Sequence, residues 1–136
     1  MIRRTIRVHA WTVTFLFAHP HNDAGEVLKC LSDIGAPDDV VRDASKLMEA
    51  GPNCGFTASD KKTRRSLSWV GRQSDGQQWL NTTVHEIIHV AVAMANDEGI
   101  VYNSERFAYI VGDITQEVAD LMCFLACDHC REEKYD

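Results

Sequence analysis

Apolar residues alternate with polar ones at the start of the chain. Ile6, Val8 and Ala10 fall in one phase, then Trp11, Val13, Phe15 and Phe17 in the other. Alternation of period two predicts a long strand over residues 2–17, and the change of phase predicts a bulge near Ala10 or burial on both faces. His19-Pro20-His21-Asn22-Asp23 breaks the strand and supplies a cap for the next element. The spacing then becomes helical. Val27, Leu28, Leu31 and Ile34 predict a short amphipathic helix ending at Gly35. Val40, Val41, Ala44, Leu47 and Met48 predict a second, begun by Pro37-Asp38-Asp39 and stopped by Gly51-Pro52. Both read as packing elements. Residues 54–59 and 65–72 predict two strands joined by a polar turn, a hairpin.

Two longer helices come next. Leu80, Val84, Ile87, Ile88, Ala91 and Met94 recur at helical spacing over residues 79–96. Ser74 with Gln77 three residues on has the form of a capping box, and Gly99 supplies a stop. The last helix spans residues 104–127, with Phe107, Ile110, Val111, Ile114, Val118, Leu121 and Leu125 on its apolar face. Its opposite face carries Glu105, Ala108, Gly112, Gln116, Ala119 and Cys123, mostly small. Small residues let another helix approach closely, so this face is expected to pack on the 79–96 helix and to carry Glu105 towards it. The fold class is therefore α+β: a small sheet packed on helices, two before the hairpin and two after it.

Length and composition narrow the reading. At 136 residues the chain is expected to form one domain, 1–136. Its 45% hydrophobic and 25% charged residues are ordinary for a soluble globular protein. A net charge of −6 weighs against nucleic acid as a partner, and Lys61, Lys62, Arg64 and Arg65 read as a solvated hairpin turn. No apolar run reaches the length of a membrane span, so no membrane partner is expected. The stretch 10–18 imitates a signal peptide, but its threonines and aromatics suit a strand better. Five cysteines, scattered and odd in number, predict reduced thiols and a cytoplasmic protein.

Candidate chemistry sits on the 79–96 helix, in His85-Glu86-Ile87-Ile88-His89. On a helix His85 and His89 are one turn apart and project the same way, so both imidazoles can reach one metal ion. Glu86 points about 100° round the axis from His85. It is badly placed as a ligand of that ion, but it can face a water bound to it without packing in the core. Two neutral nitrogen ligands, a carboxylate base and room for a third ligand are what a zinc hydrolase needs.

His85-Glu86-x-x-His89 followed by Ser104-Glu105-Arg106-Phe107-Ala108-Tyr109 resembles the zincin metallopeptidases, specifically those whose third ligand is a glutamate on a following helix. The order of strand, strand, motif helix and glutamate helix looks like a minimal version of that fold. At this length the chain is similar to small metallopeptidases encoded by bacteriophages and prophages, which implies a bacterial cell or a phage-infected host. The resemblance covers residues 65–118 best, and stops after Cys123. It implies Zn²⁺ held by His85, His89 and Glu105, with Glu86 as general base. Larger family members often carry an aspartate four residues after the third ligand. This chain has Tyr109 there, with Asp113 a turn later, and Tyr109 is the candidate for stabilising the transition state, alongside a histidine of the 19–21 turn. Glu98, Asp97 and Asp113 are substitute third ligands.

Amide hydrolysis of an intracellular protein or peptide is the expected reaction, with the strand at 65–72 as the sheet edge to which an extended substrate pairs. The alternative is a binding module that keeps the fold, and the metal, to engage a host protein without turnover. Intact Glu86 favours the peptidase; small size favours the module. Cys123, Cys127, His129 and Cys130 have the residue types and spacing of a second metal site, although thiols buried at a helix end explain Cys123 and Cys127 equally well. A redox or zinc-shuttling role for Cys127 and Cys130 is a third, more distant reading.

Overall fold

The first two strands are a tight hairpin, where the hydrophobic pattern predicts one long strand. In the computed structural model, which describes residues 1–135 and side chains through Glu132, β1 (Ile2–Val8) pairs antiparallel with β2 (Trp11–Phe17). Val8 lies opposite Trp11, so the turn is His9 and Ala10 alone, and His9 adopts a left-handed φ of 54°. The change of phase at Ala10 is thus the reversal of the chain. His9-Ala10 lacks the Asn-Gly or Asp-Gly signal of such turns, which is why the pattern reads as continuous.

From β2 the chain passes through α1 (Ala24–Asp33) and α2 (Asp38–Glu49) before returning as β3 (Gly55–Asp60) and β4 (Arg65–Val70). Asp23 caps α1 as expected, accepting from the Glu26 N–H at 3.1 Å. The sheet runs β1-β2-β4-β3: β2 and β4 are parallel, and the two hairpins are antiparallel. β4 is therefore interior, and the edge next to the site is β3. This corrects the expectation for residues 65–72. Leu67, Trp69 and Val70 are buried on both faces of β4, as an interior strand requires, while β3 is short, polar and half-covered, as an edge tolerates.

Each face of the sheet carries a pair of helices. α1 and α2 cover one face through Val27, Leu31, Ile34 and Ala44 against Leu16, Leu67 and Trp69. The other face packs Val13, Phe15, Phe17 and Val70 against α3 (Gly76–Glu98) and α4 (Glu105–Ala126). A short α5 (Asp128–Tyr135) ends the chain, so three helices come after the second hairpin where two were expected. The architecture is α+β, with a four-stranded mixed sheet and five helices among the described residues. No helix of the described residues is long and apolar enough to cross a membrane.

α3 and α4 meet differently from the expectation. α4 uses its apolar face, burying Ile110, Ile114, Val118 and Leu125, while Ala108, Gly112, Gln116 and Cys123 stay exposed. A Cβ built on Gly112 would meet nothing within 4 Å, so no helix approaches there. Burying branched side chains releases more apolar surface than burying glycine and alanine, and that decides the rotation of α4. On α3 the buried stripe is Trp79, Ile87, Val90, Ala91 and Met94, with Leu80, Val84 and Ile88 turned outward at 41%, 45% and 37% exposure.

Candidate functional site

α3 is set in place from its first turn. Asp75, not Ser74, is the N-cap: its carboxylate accepts from the Gln78 N–H at 2.8 Å, while the Ser74 N–H is held by Asn53 Oδ1 at 2.8 Å. A carboxylate at this end also meets the positive pole of the helix, which a serine does not exploit. Just before the cap, the Gln73 amide donates to Gly71 O at 2.7 Å and Cys54 O at 3.3 Å, and accepts from the Thr82 hydroxyl at 2.7 Å. These bonds fix the start of α3 against the end of the β3–β4 hairpin. At the other end Gly99 takes the left-handed stop, with φ 67°, as the sequence suggests.

His85 and His89 project to one side of α3, both solvent-exposed, with their Nε2 atoms 3.1 Å apart. Two nitrogens of one tetrahedral zinc, each about 2.0–2.1 Å from the ion, stand about 3.3 Å from each other. The pair thus fits as two ligands of a single ion.

Glu86 departs from expectation. It is only 2% exposed, turned under the sheet. The Thr57 hydroxyl donates to its Oε2 at 2.6 Å, and the same Thr57 oxygen lies 2.7 Å from Ser68 Oγ. Glycine at 55 makes room for the carboxylate. A Cβ there would sit 3.1 Å from Glu86 Oε1 and 2.9 Å from both the Thr82 methyl and the Trp69 carbonyl. Burial pushes the Glu86 carboxyl above its ordinary value, while the Thr57 hydrogen bond and the neighbouring His89 and His85 pull it back. Glu86 and His85 line a cleft of about 260 Å³ together with Asn81, Cys54, Gly55 and Leu47. Thr57, Ser68 and Gly55 are the site residues that sequence reasoning missed. Their signal was Thr57-x-Ser59 and Ser66-x-Ser68, hydroxyls repeating at every second position of two adjacent predicted strands.

The structure does not gather Glu105 or Tyr109 with this group. Arg4 of β1 binds the Asp120 carboxylate and the Glu117 carbonyl, so α4 lies under the β1 edge, whereas Glu86 ties α3 to the opposite edge. α4 runs back along α3 with Ala126 against Gly76, which puts Glu105 near the last turn of α3, about 12 Å along the axis from His89. Glu105 is exposed there, and Tyr109 is 68% exposed on α4. The substitute ligands are engaged elsewhere: Asp97 with Arg64 at 2.8 Å, and Glu98 and Asp113 with His9 at 3.5 and 3.6 Å. His19 packs edge-on against Trp79 and Phe124.

Among the described residues, no group of three or more His, Cys, Asp or Glu side chains is close enough to hold a metal ion. His85 and His89 thus stand as a pair, with no third such side chain gathered beside them among the described residues. Nor is a second set assembled at the C-terminal cysteines, where Cys123 and Cys130 are exposed and Cys127 half-buried rather than sealed in the helix end. A scan against models of protein families, a search of curated proteins and a search of solved structures each return no match for the chain.

Proposed function

We propose that this chain is a zinc-dependent peptidase working in the cleft between α3 and β3. The observation that carries the reading is the conjunction of a buried carboxylate, Glu86, with two imidazoles whose nitrogens converge beside it. His85 and His89 would hold the ion. Bound zinc supplies a Lewis acid and lowers the pKa of a water molecule towards neutrality. The chain's own residues do the rest. Glu86, with its carboxyl raised by burial, is a stronger base than an exposed glutamate, suited to take a proton and return it to the leaving amine. Thr57 fixes one of its oxygens and leaves the other under Gly55 at the cleft. β3 is an antiparallel sheet edge alongside α3, so an extended peptide can add to it as a further strand. That pairing of an edge strand with the motif helix supports the likeness to a minimal zincin. Five cysteines, all thiols, suit a cytoplasmic setting in a bacterial cell or a phage-infected host.

One observation favours a second reading. Catalytic zinc ordinarily has three protein ligands, and the third is not gathered here. A module that binds a host protein, with the cleft as its docking site and no turnover, needs no third ligand.

Hydrolysis of a denatured protein substrate by zinc-supplemented protein separates the two. In the peptidase, Glu86→Gln retains zinc and loses on the order of 10²–10⁴-fold of turnover. No cleavage above background by zinc-loaded wild type, indistinguishable from Glu86→Gln, would overturn the peptidase and leave the module.

A further inference from the structure

The cysteines at the end of the chain have a geometry that the cleft does not use. Cys127 is both the last cap of α4 and the N-cap of α5: its backbone is extended, with φ −98° and ψ 109°, and its carbonyl accepts from the Arg131 N–H at 3.1 Å. Cys130 is therefore the third residue of α5, where an N-cap side chain meets the helix's first unsatisfied N–H groups. Helix geometry sets α-carbons three positions apart about 5 Å from one another, inside the α-carbon range of roughly 4.4–6.8 Å that a disulfide spans. Arg131 pins the turn, its guanidinium bonded to both the Leu125 carbonyl and the Asp128 carboxylate.

We propose that Cys127 and Cys130 form a reversible dithiol–disulfide centre that exchanges with low-molecular-weight disulfides. Cys127 is the attacking thiol. The Cys130 N–H and thiol, with the His129 N–H, hold its pKa below the ordinary thiol value, whereas burial raises that of Cys30. The Cys127 thiolate attacks one sulfur of the small disulfide, forming a mixed disulfide and releasing one small thiolate. The Cys130 sulfur then displaces the second, losing its proton, and closes the Cys127–Cys130 bond. Two protein thiols are oxidised by two electrons, and one small disulfide is reduced to two thiols. A structural zinc takes four ligands, whereas exchange needs only the two sulfurs.

The test equilibrates the full chain with mixtures of reduced and oxidised glutathione, quenches with iodoacetamide and maps the peptides by mass spectrometry. The expected result is a species lighter by two hydrogens, with Cys127 joined to Cys130, restored on adding dithiothreitol, while Cys30 and Cys54 alkylate as thiols throughout. Cys127→Ser keeps an oxygen at the cap, so the fold is expected to persist, checked by circular dichroism; it loses the crosslink. In reducing buffer at pH 7, Cys127 is expected to alkylate at least several-fold faster than Cys54. Stable glutathione adducts on Cys127 or Cys130 without a crosslink, a crosslink to Cys123 instead, or equal alkylation rates would each overturn the proposal.

Discussion

Glu86 is a carboxylate held where a carboxylate is costly, and its neighbours show what offsets the cost. It accepts from Thr57, and Thr57 is in turn within 2.7 Å of Ser68, a buried residue of β4. Thr57→Val removes the hydroxyl that serves both partners, and leaving them unsatisfied costs about 1–3 kcal/mol. Thr57→Ser restores the bond, so urea unfolding is expected to show the loss in the first variant and most of it recovered in the second. The charge itself gives a pH signature. Because burial raises the Glu86 carboxyl, the folded chain binds that proton more tightly than the unfolded chain. The contribution is fully present below the ordinary glutamate value and is lost as pH rises through the raised one. Glu86→Gln abolishes this loss. Thermal unfolding of metal-free protein from pH 4 to 8 is thus expected to show the variant gaining on wild type as pH rises. A gap that stays constant with pH would mean that Glu86 is not held in an unfavourable environment.

At the scale of elements, the pattern along the chain identifies most of the pieces, and tertiary contacts decide how they turn. α3 is legible from its period and its Gly99 stop, yet Leu80, Val84 and Ile88, which belong to the predicted stripe, face outward. The periodic signal cannot distinguish them from Ile87 and Met94, because the face is chosen by what the sheet offers. The N-cap lies one residue from its expected place since two adjacent polar side chains, Ser74 and Asp75, both fit the signature. The apolar face of α4 is equally legible, but its small residues suggest a contact with α3 that the helix does not make, and the expectation for Glu105 depended on that contact. As α4 lies, Glu105 is an acidic first-turn residue beside the Ser104 cap, which accepts from the Phe107 N–H at 3.2 Å. Glu105→Ala is accordingly expected to cost less than about 1 kcal/mol through the helix dipole and to leave zinc affinity unchanged. A large fall in affinity, measured by titration calorimetry, would show that zinc draws the first turn of α4 across to the histidines.

At the scale of the whole molecule, two helix pairs clamp a four-stranded sheet, and the site lies at the one edge where a strand is left open beside α3. Strand order is the least legible feature. Local periodicity says which residues face inward, not which strand neighbours which, although the apolar run of β4 beside the polar β3 carries a usable hint of interior and edge. The site divides the same way. His85, Glu86 and His89 share one turn of one helix, so five consecutive residues are enough to read them. Thr57, Ser68 and Gly55 reach Glu86 only through the pairing of β3 and β4 and the packing of α3 beneath, which no single stretch encodes. The proposed chemistry depends on the two histidines acting as one chelating arm. Calorimetric titration of zinc into metal-depleted protein tests this most directly. The expected result is one zinc per chain, lost in both His85→Ala and His89→Ala. Zinc binding in either variant with wild-type affinity and stoichiometry would contradict it.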